Sequence, residues 1–326
     1  MNPIPRLACA ALAAAALAAP LTSLRAEGAY PTHGLQLVIP FPAGGATDVV
    51  GRLLAKSLGD KLGQNIVADN RPGAGTVIGA SFVAKAPPDG YTLLLSSGTT
   101  FTVNPAINTK LPYDPLKSFE AIGVIGRTGL ILLANKDVPA SNPKEFAALA
   151  KASPGKYTWA SFGNGTTSHF TGELLSRATG TQMVHVPYRG SSPAMIDLIG
   201  GQVQFSVDTV SAAIPQLKTG KVKAIGVTTP KRSALLPNVP TFAEAGFDIN
   251  ADTWLAVMAP RGLPPQVKAR LEKALAEVVA MPETREKLAA VGFETSYMNG
   301  AAVEKLIEHE LPVMRATAAR ANIKPD

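Results

Sequence analysis

The sequence predicts an α/β protein of two lobes joined by two crossings of the chain, and three observations support this prediction. Short apolar runs alternate with amphipathic segments from Leu35 onward, which is typical of helices that cover a largely parallel sheet. The alternation stops near Gly126 and resumes from Asn142. Residues 264–323 are predicted to be almost wholly helical, and without new strands we expect them to pack on the first lobe.

The first α/β unit is predicted from strand, turn and helix signals in chain order. Its strands are expected at 35–39, 65–69 and 91–96, and its helices from about 48 to 62 and from 76 to 85. Thr47 or Asp48 is the expected N-cap of the first helix, because apolar residues recur at helical spacing directly after them. The segment 99–119 is expected to be irregular, and two separate extended runs follow at 121–125 and 130–134.

The second unit repeats the alternation. Strands are expected at 157–161, 183–187, 203–208 and 222–228, and helices at 143–152, 167–178, 192–200 and 211–219. After an irregular segment, 230–250, a strand at 254–258 returns the chain to the first unit. The predicted limits are 27–126 plus 251–326 for lobe 1 and 127–250 for lobe 2. Open α/β sheets bind ligands at the carboxyl ends of their strands, so two facing lobes predict a cleft between them.

Residues 1–26 are predicted to be a secretory signal peptide. Arg6 precedes an apolar stretch from Leu7 to Leu21, and a small residue, Ala26, stands before the expected cut. The stretch is shorter than the roughly 20 residues that span a bilayer, so we expect a soluble secreted protein. The single cysteine, Cys9, would leave with this segment, which excludes disulfides, a cysteine zinc site and cysteine catalysis.

The composition argues against a nucleic-acid-binding protein. The chain of 326 residues is 46% hydrophobic and 17% charged, with a formal net charge of +7. Removal of Arg6 and Arg25 leaves 29 basic and 24 acidic residues, a net charge of +5. The basic residues are scattered, and aromatic residues are not interleaved with them as a single-strand platform requires. We interpret the charge as a solvated basic surface.

A glycine-rich turn joins the first predicted strand to the first helix. Ala43-Gly44-Gly45-Ala46-Thr47-Asp48 lets backbone N–H groups at a helix N-terminus face an anion, and a carboxylate suits such a site. The turn lacks the lysine of a P-loop and the spacing of a dinucleotide fingerprint. The alternative is a tight turn with a good N-cap.

A similar turn occurs in the second unit. Gly163-Asn164-Gly165-Thr166-Thr167-Ser168-His169 places hydroxyls at cap positions and is expected to leave N–H groups free in the first helical turn. His169 could donate a hydrogen bond to an anion there, and a packing or surface role is the alternative. With one such turn in each lobe, we expect two helix N-termini to face one cleft.

Two further positions are candidates for the wall of the cleft. Ser97, Gly98 and Thr99 follow the third predicted strand and offer hydroxyl and N–H donors. Asp208 ends the strand 203–208 and could accept a hydrogen bond from a ligand amine or hydroxyl. The alternative for Asp208 is capping of the helix that begins near Ser211.

The sequence contains no coherent catalytic or metal-binding motif. We find no GxSxG, HExxH or SxxK in a suitable context, and no paired carboxylates at one strand end. Four dispersed histidines do not predict a metal cluster. We therefore expect a binding protein without a cofactor rather than an enzyme.

Several long motifs, in order along nearly the whole mature chain, resemble one family. They are PFPAGGATD (40–48), DNRPGAG (69–75), APPDGYTLLLSS (86–97), NPAINTKLPYDP (104–115), GTTSHFTGELL (165–175), VPYRGSSPAMIDLIGGQV (186–203) and LPNVPTFAEAG (236–246). The chain resembles the substrate-binding proteins of tripartite tricarboxylate transporters, also called Bug receptors. This resemblance implies a periplasmic binding protein of type II, with two α/β lobes, two crossings and a ligand cleft.

The resemblance also implies which residues hold a ligand carboxylate. In the first lobe they are Phe41, Ala43, Gly44, Gly45, Thr47 and Asp48. In the second lobe they are Gly165, Thr166 and Thr167, while Asp208 stands where the far end of the ligand is recognised. Neither turn contains an arginine, so Arg189 or Arg127 would have to neutralise a second carboxylate. We expect a ligand with one well-held carboxylate and a variable tail.

We therefore expect a monomeric receptor whose lobes close on a small organic acid and deliver it to the integral membrane permease of a tripartite tricarboxylate system. One alternative is a periplasmic sensor that presents its bound ligand to a signalling partner. A second is a periplasmic hydrolase or isomerase, because a fold alone does not decide function.

Overall fold

The structure is a computed structural model that describes residues 30–321 and residue 323. The predicted signal peptide, with Cys9, lies outside the described residues. None of the helices described is long and apolar enough to cross a membrane.

Strands and helices alternate through most of the described chain. The strands are β1 Leu35–Ile39, β2 Ile66–Asn70, β3 Thr92–Ser97, β4 Phe119–Asn135, β5 Thr158–Ser161, β6 Val184–Pro187, β7 Phe205–Thr209, β8 Val222–Val227, β9 Asp252–Pro260 and β10 Glu294–Asn299. The helices are α1 Ala46–Leu62, α2 Val77–Ala84, α3 Asn104–Ile107, α4 Pro143–Lys151, α5 Thr167–Thr179, α6 Ser191–Ile199, α7 Val210–Lys218, α8 Pro265–Ala280, α9 Pro282–Ala290 and α10 Gly300–Ala321.

Each lobe is built on one half of a continuous, mixed sheet. The first lobe has the strand order β2-β1-β3-β9-β4-β10, and the second has β8-β4-β7-β5-β6. β1 is parallel to β2 and β3, and β5 is parallel to β6 and β7. The expectation of a largely parallel sheet is wrong, because β4 and β9 pass between the lobes and pair antiparallel with each of their neighbours.

The first crossing is a single long strand. The two extended runs expected at 121–125 and 130–134 are parts of β4, which has 17 residues. β4 pairs with β9 as far as Gly129 and with β7 from Leu130. Gly126 interrupts the apolar pattern but belongs to β4. A glycine is needed there because a Cβ would lie 2.8 Å from the Glu294 carbonyl oxygen of the neighbouring strand β10.

Two segments differ from the sequence prediction in their secondary structure. β10 lies within the tail that was expected to be helical, and its mostly polar, partly exposed residues carry no apolar period that could have shown it. The segment 99–119, expected to be irregular, contains a wide helical turn at Thr99–Val103 and the short helix α3. β10 pairs with β4, and the segment Thr99–Ile107 packs mainly against α10, so both segments make contacts that are distant in sequence.

The lobes have separate apolar cores on the two faces of their sheets. In the first lobe, α1 and α8 cover one face, where Leu37, Leu95 and Val257 belong to the same buried cluster as Leu271 and Leu275 of the tail. In the second lobe, Trp159 and Phe205 lie in the core of one face, and Ile131 and Leu133 lie in that of the other. The tail therefore packs mainly on the first lobe, while the end of α10 also contacts α5 of the second lobe, where Ala318 lies in one cluster with Phe170.

Candidate functional site

A cavity lies between the two lobes, and we call it the inner cavity. The first lobe lines it with Phe41, Pro42, Gly45, Ala46, Thr47, Ser97, Thr253, Leu255 and Phe293. The second lobe lines it with Phe162, Thr167, Ser191, Ser192, Asp208 and Thr209. Asp208 is the one ionisable side chain among these described residues, so the wall is otherwise a mixture of rings, hydroxyls and backbone.

The N-terminus of α1 opens into the inner cavity. Its N-cap is Gly45, which has extended backbone angles and supplies no side-chain cap. The expectation that Thr47 or Asp48 caps this helix is wrong, because both lie inside it. Ala46 and Thr47, the first helical residues, line the cavity and have N–H groups without a partner within the helix. The partial positive charge of the helix is thus presented to the cavity and favours an anion.

Asp48 shapes the turn in front of α1. Its buried carboxylate accepts hydrogen bonds from the Gly44 N–H at 2.9 Å, from Asn70 Nδ2 at 3.0 Å and from Arg52 Nε at 3.1 Å. Burial alone would raise the pKa of Asp48, but these donors outweigh it and hold the pKa below its ordinary value. The carboxylate is therefore charged and fully engaged in holding the glycine turn.

The N-terminus of α5 differs from that of α1. Thr166 caps it by accepting the His169 N–H at 3.3 Å, and the Thr167 N–H donates to Thr99 Oγ1 at 3.1 Å. The Gly165 N–H donates to His169 Nδ1 at 3.2 Å. The expectation of free N–H groups here is wrong for Gly165, Thr167 and His169, because two contacts within the turn and one distant contact, with Thr99, take them. The side chain of Thr167 nevertheless lines the inner cavity.

The helix N-terminus that opens into the inner cavity from the second lobe is that of α6. Its N-cap, Gly190, supplies no side-chain cap, and Ser191 and Ser192 line the cavity. A Cβ on Gly44 would lie 3.9 Å from Ser192 Oγ, so the turn before α1 and the start of α6 face each other. Sequence reasoning missed this helix as a ligand site, although a glycine before two serines is a signal that could have found it.

Asp208 projects from β7 and is 1% exposed. Its Oδ2 accepts the Ser191 hydroxyl at 2.6 Å, and its Oδ1 accepts the Thr209 N–H at 2.7 Å. Burial raises the pKa of Asp208 to about 6, although these hydrogen bonds pull it down. The alternative of helix capping is wrong, since Thr209 is the N-cap of α7 and accepts the Ala212 N–H at 3.2 Å.

The other predicted site residues are divided among neighbouring regions. Gly165, Thr166 and Arg189 line a larger outer cavity that also touches Phe41, and Gly98 lines a cavity beside the crossing strands, the hinge cavity. Ala43, Gly44, Asp48, Thr99 and His169 line none of these three cavities. The His169 ring stacks on His185 with centroids 4.2 Å apart, so it packs behind the turn.

Neither arginine proposed for a second carboxylate lines the inner cavity. Arg189 faces the outer cavity. Arg127 lines the hinge cavity and donates to both carboxylate oxygens of Asp252 at 3.0 and 3.1 Å. Within the described residues, no group of three or more His, Cys, Asp or Glu side chains could hold a metal ion.

The lobes touch each other around the inner cavity. Thr99 Oγ1 of the first lobe lies 3.3 Å from Thr167 Oγ1 of the second. A Cβ on Gly190 would lie 2.5 Å from Pro42 Cγ, and a Cβ on Gly75 would lie 2.9 Å from the Asn164 carbonyl oxygen. Glycine is therefore required for this close approach, and the structure is a closed form.

Two α/β lobes closed over a cavity are the architecture of periplasmic binding proteins, and solved structures of that class match this chain. Periplasmic binding protein BugD matches with a TM-score of 0.86 and 35% identity, covering 90% of this chain and 99% of that one. R. palustris Rpa4515 with adipate matches with a TM-score of 0.88 and 33% identity, covering 91% and 100%.

Sequence comparison gives the same answer. The sequence profile of the tripartite tricarboxylate transporter family receptor matches residues 50–321. BugT of Bordetella pertussis is 36% identical over 283 residues, which cover 86% of each chain. The chain belongs to the tripartite tricarboxylate transporter receptor family. The resemblance and the fold predicted from the sequence are confirmed.

Proposed function

We propose that this protein is a periplasmic receptor that captures a small organic acid in the inner cavity and delivers it to a tripartite tricarboxylate membrane permease. The observation that carries the proposal is the pair of helix N-termini, α1 and α6, that meet at the cavity without side-chain caps. Each supplies about half a positive charge and unpaired N–H donors, which match a carboxylate.

Two further observations support the same function. A relative that is 33% identical to this chain has been solved with adipate, a dicarboxylic acid. The lobes are joined by β4 and β9 and touch around the cavity, so ligand contacts from both lobes favour the closed form. A permease that binds the closed form then receives loaded receptor in preference to empty receptor.

The experiment is a thermal-shift screen of the protein from residue 27 onward, refolded from denaturant to remove any copurified acid. Mono-, di- and tricarboxylates, acidic amino acids and aromatic acids are the probes, with the corresponding amides as controls. An acid at about 100 times its Kd adds roughly 2.7 kcal/mol, which corresponds to a rise in Tm of roughly 4 °C for a protein of this size. A Tm that no acid raises would contradict the proposal.

The receptor function also implies that the acid leaves unchanged. We expect mass spectrometry to recover the bound acid intact after prolonged incubation, and co-purification from membrane extract to depend on the ligand. A new product formed at a rate proportional to protein concentration would instead support a hydrolase or isomerase.

A further inference from the structure

One hydroxyl in the wall of the inner cavity has no hydrogen-bond partner in the protein. Thr253 is 5% exposed, and its Oγ1 is the one buried side-chain polar atom in residues 30–321 and 323 without such a partner. Buried hydroxyls are nearly always paired, because an unpaired one costs the free energy of its lost hydration. An unpaired hydroxyl in a binding cavity therefore points to a group that arrives with the ligand.

The position of Thr253 on β9 directs its side chain toward the inner cavity. Side chains alternate between the faces of a strand, so Thr253 and Leu255 share one face, and both line the inner cavity. Asp252 and Trp254 lie on the opposite face, where they line the hinge cavity with Arg127, and Thr253 borders this cavity as well. β9 is one of the two strands that pass between the lobes. The Thr253 hydroxyl thus lies on a strand that connects the two lobes.

The charges around the inner cavity limit what the far end of a ligand can be. Asp208 is its one ionisable lining residue, and no Lys or Arg lines it within the described chain. A second carboxylate in this cavity would meet the Asp208 carboxylate and no compensating cation. The rings of Phe41, Phe162 and Phe293 instead suit an apolar body.

We propose that Thr253 is a specificity-determining residue, and that the ligand is a monocarboxylic acid whose apolar body carries a hydroxyl or carbonyl group. The carboxylate lies at the N-terminus of α1, and Thr253 Oγ1 exchanges a hydrogen bond with the neutral polar group. This inference rests on the proposed function, because it assumes that an organic acid occupies the inner cavity.

Two matched sets of acids test the inference by calorimetric titration at pH 7.5. One set is 6-hydroxyhexanoate, hexanoate and adipate, and the other is 4-hydroxybenzoate, benzoate and terephthalate. In at least one set, we expect the hydroxy acid to bind about 10-fold more tightly than its unsubstituted parent and more tightly than the diacid. A diacid that binds more tightly than its hydroxy analogue overturns the ligand class but leaves the receptor function standing.

Thr253→Val and Thr253→Ser separate the hydroxyl from the shape of the side chain. We expect Thr253→Val to lower the affinity for the hydroxy acid about 10-fold and to leave the affinity of its parent within about 2-fold. Thr253→Ser retains the hydroxyl and should keep the preference. An unchanged ratio of the two affinities in Thr253→Val overturns the role of this residue.

The stability of the ligand-free protein distinguishes a ligand-binding role from a structural one. Thr253→Val removes a buried unpaired hydroxyl, so we expect the Tm without ligand to rise by about 1 to 3 °C. A structural hydroxyl would lower the Tm when it is removed. If no acid of these sets or of the wider screen binds the wild-type protein, both the receptor function and this inference are overturned.

Discussion

At the scale of single residues, Asp208 has the most unusual environment in the site. Its carboxylate is 1% exposed, lies in a cavity proposed to hold an anion, and has hydrogen bonds from Ser191 and Thr209 but no ion pair with a cation of the described residues. Burial raises its pKa from 3.8 to about 6. Burial therefore destabilises the ionised carboxylate of Asp208 relative to its protonated form. A second negative charge in the cavity should shift this equilibrium further toward the protonated form.

Asp208→Asn should change how stability depends on pH. Because the folded-state pKa is raised, Asp208 contributes stability that is present below about pH 4 and lost as the pH rises through about 6. We expect Asp208→Asn to be more stable than the wild type by roughly 2 kcal/mol at pH 7.5 and to have no such advantage at pH 4. Denaturant titrations at both pH values measure this difference.

The same substitution should alter ligand binding. We expect the affinity of the wild type for an organic acid to fall between pH 6 and pH 8, as the cavity carboxylate ionises, and the profile of Asp208→Asn to be flatter. Asp60→Asn, on the exposed surface of α1, is the control and should follow the wild type. Parallel profiles for wild type and Asp208→Asn would contradict this role.

At the scale of elements, the start of α1 is the proposed site of the ligand carboxylate. Gly45 is its N-cap, has backbone angles that any residue adopts, and leaves room for a Cβ, which would lie 3.5 Å from the Pro42 carbonyl oxygen. An acidic side chain at this position would accept the first N–H groups of the helix itself. It would thus occupy the place proposed for the ligand carboxylate.

Gly45→Asp should abolish binding while it preserves or raises stability. We expect its affinity for the acid to fall at least 100-fold, because the introduced carboxylate repels the ligand and occupies its donors, and its Tm to stay equal or rise. Gly45→Ala is the matched control and should bind within about 3-fold of the wild type. Retained affinity in Gly45→Asp would show that the carboxylate does not lie at α1.

The sequence predicts the elements well where the signal is local. The strand, glycine turn and helix around Gly45 follow from an apolar run, two glycines and a helical period, and the structure has all three. The free N–H groups expected at α5 are taken by Thr99 and His169, and Thr99 lies 68 residues before its partner Thr167. Thr253 and Phe293 join the cavity through the fold of β9 and β10, so no local pattern could place them there.

At the scale of the whole molecule, closure of the lobes depends on glycine at their contact. Gly190 has a φ of +123° and approaches Pro42 so closely that a Cβ would lie 2.5 Å from the proline ring. Gly220 has a φ of +68° with no atom within 4 Å of a Cβ. The two positions share a left-handed backbone and differ in the contact between lobes, which makes them a matched pair.

Gly190→Ala should hinder closure. Gly220→Ala should lose roughly 1 kcal/mol of stability through backbone strain, and Gly190→Ala about 1 to 3 kcal/mol, because its φ of 123° and ψ of 174° are nearly confined to glycine. We expect Gly190→Ala alone to lose ligand affinity, by about 10-fold or more, and to keep the larger radius of gyration of an open form when the acid is added. Titration and small-angle scattering measure both. Equal affinities in the two variants would show that this contact does not control closure.

We propose that an organic acid lies in the inner cavity with its carboxylate at the N-terminus of α1. A crystal structure of the protein saturated with the acid that raises its Tm most would show the position of this carboxylate. We expect closed lobes and a ligand carboxylate about 3 Å from the first N–H groups of α1. A carboxylate bound beside Arg189 in the outer cavity, with no contact to α1, would contradict it.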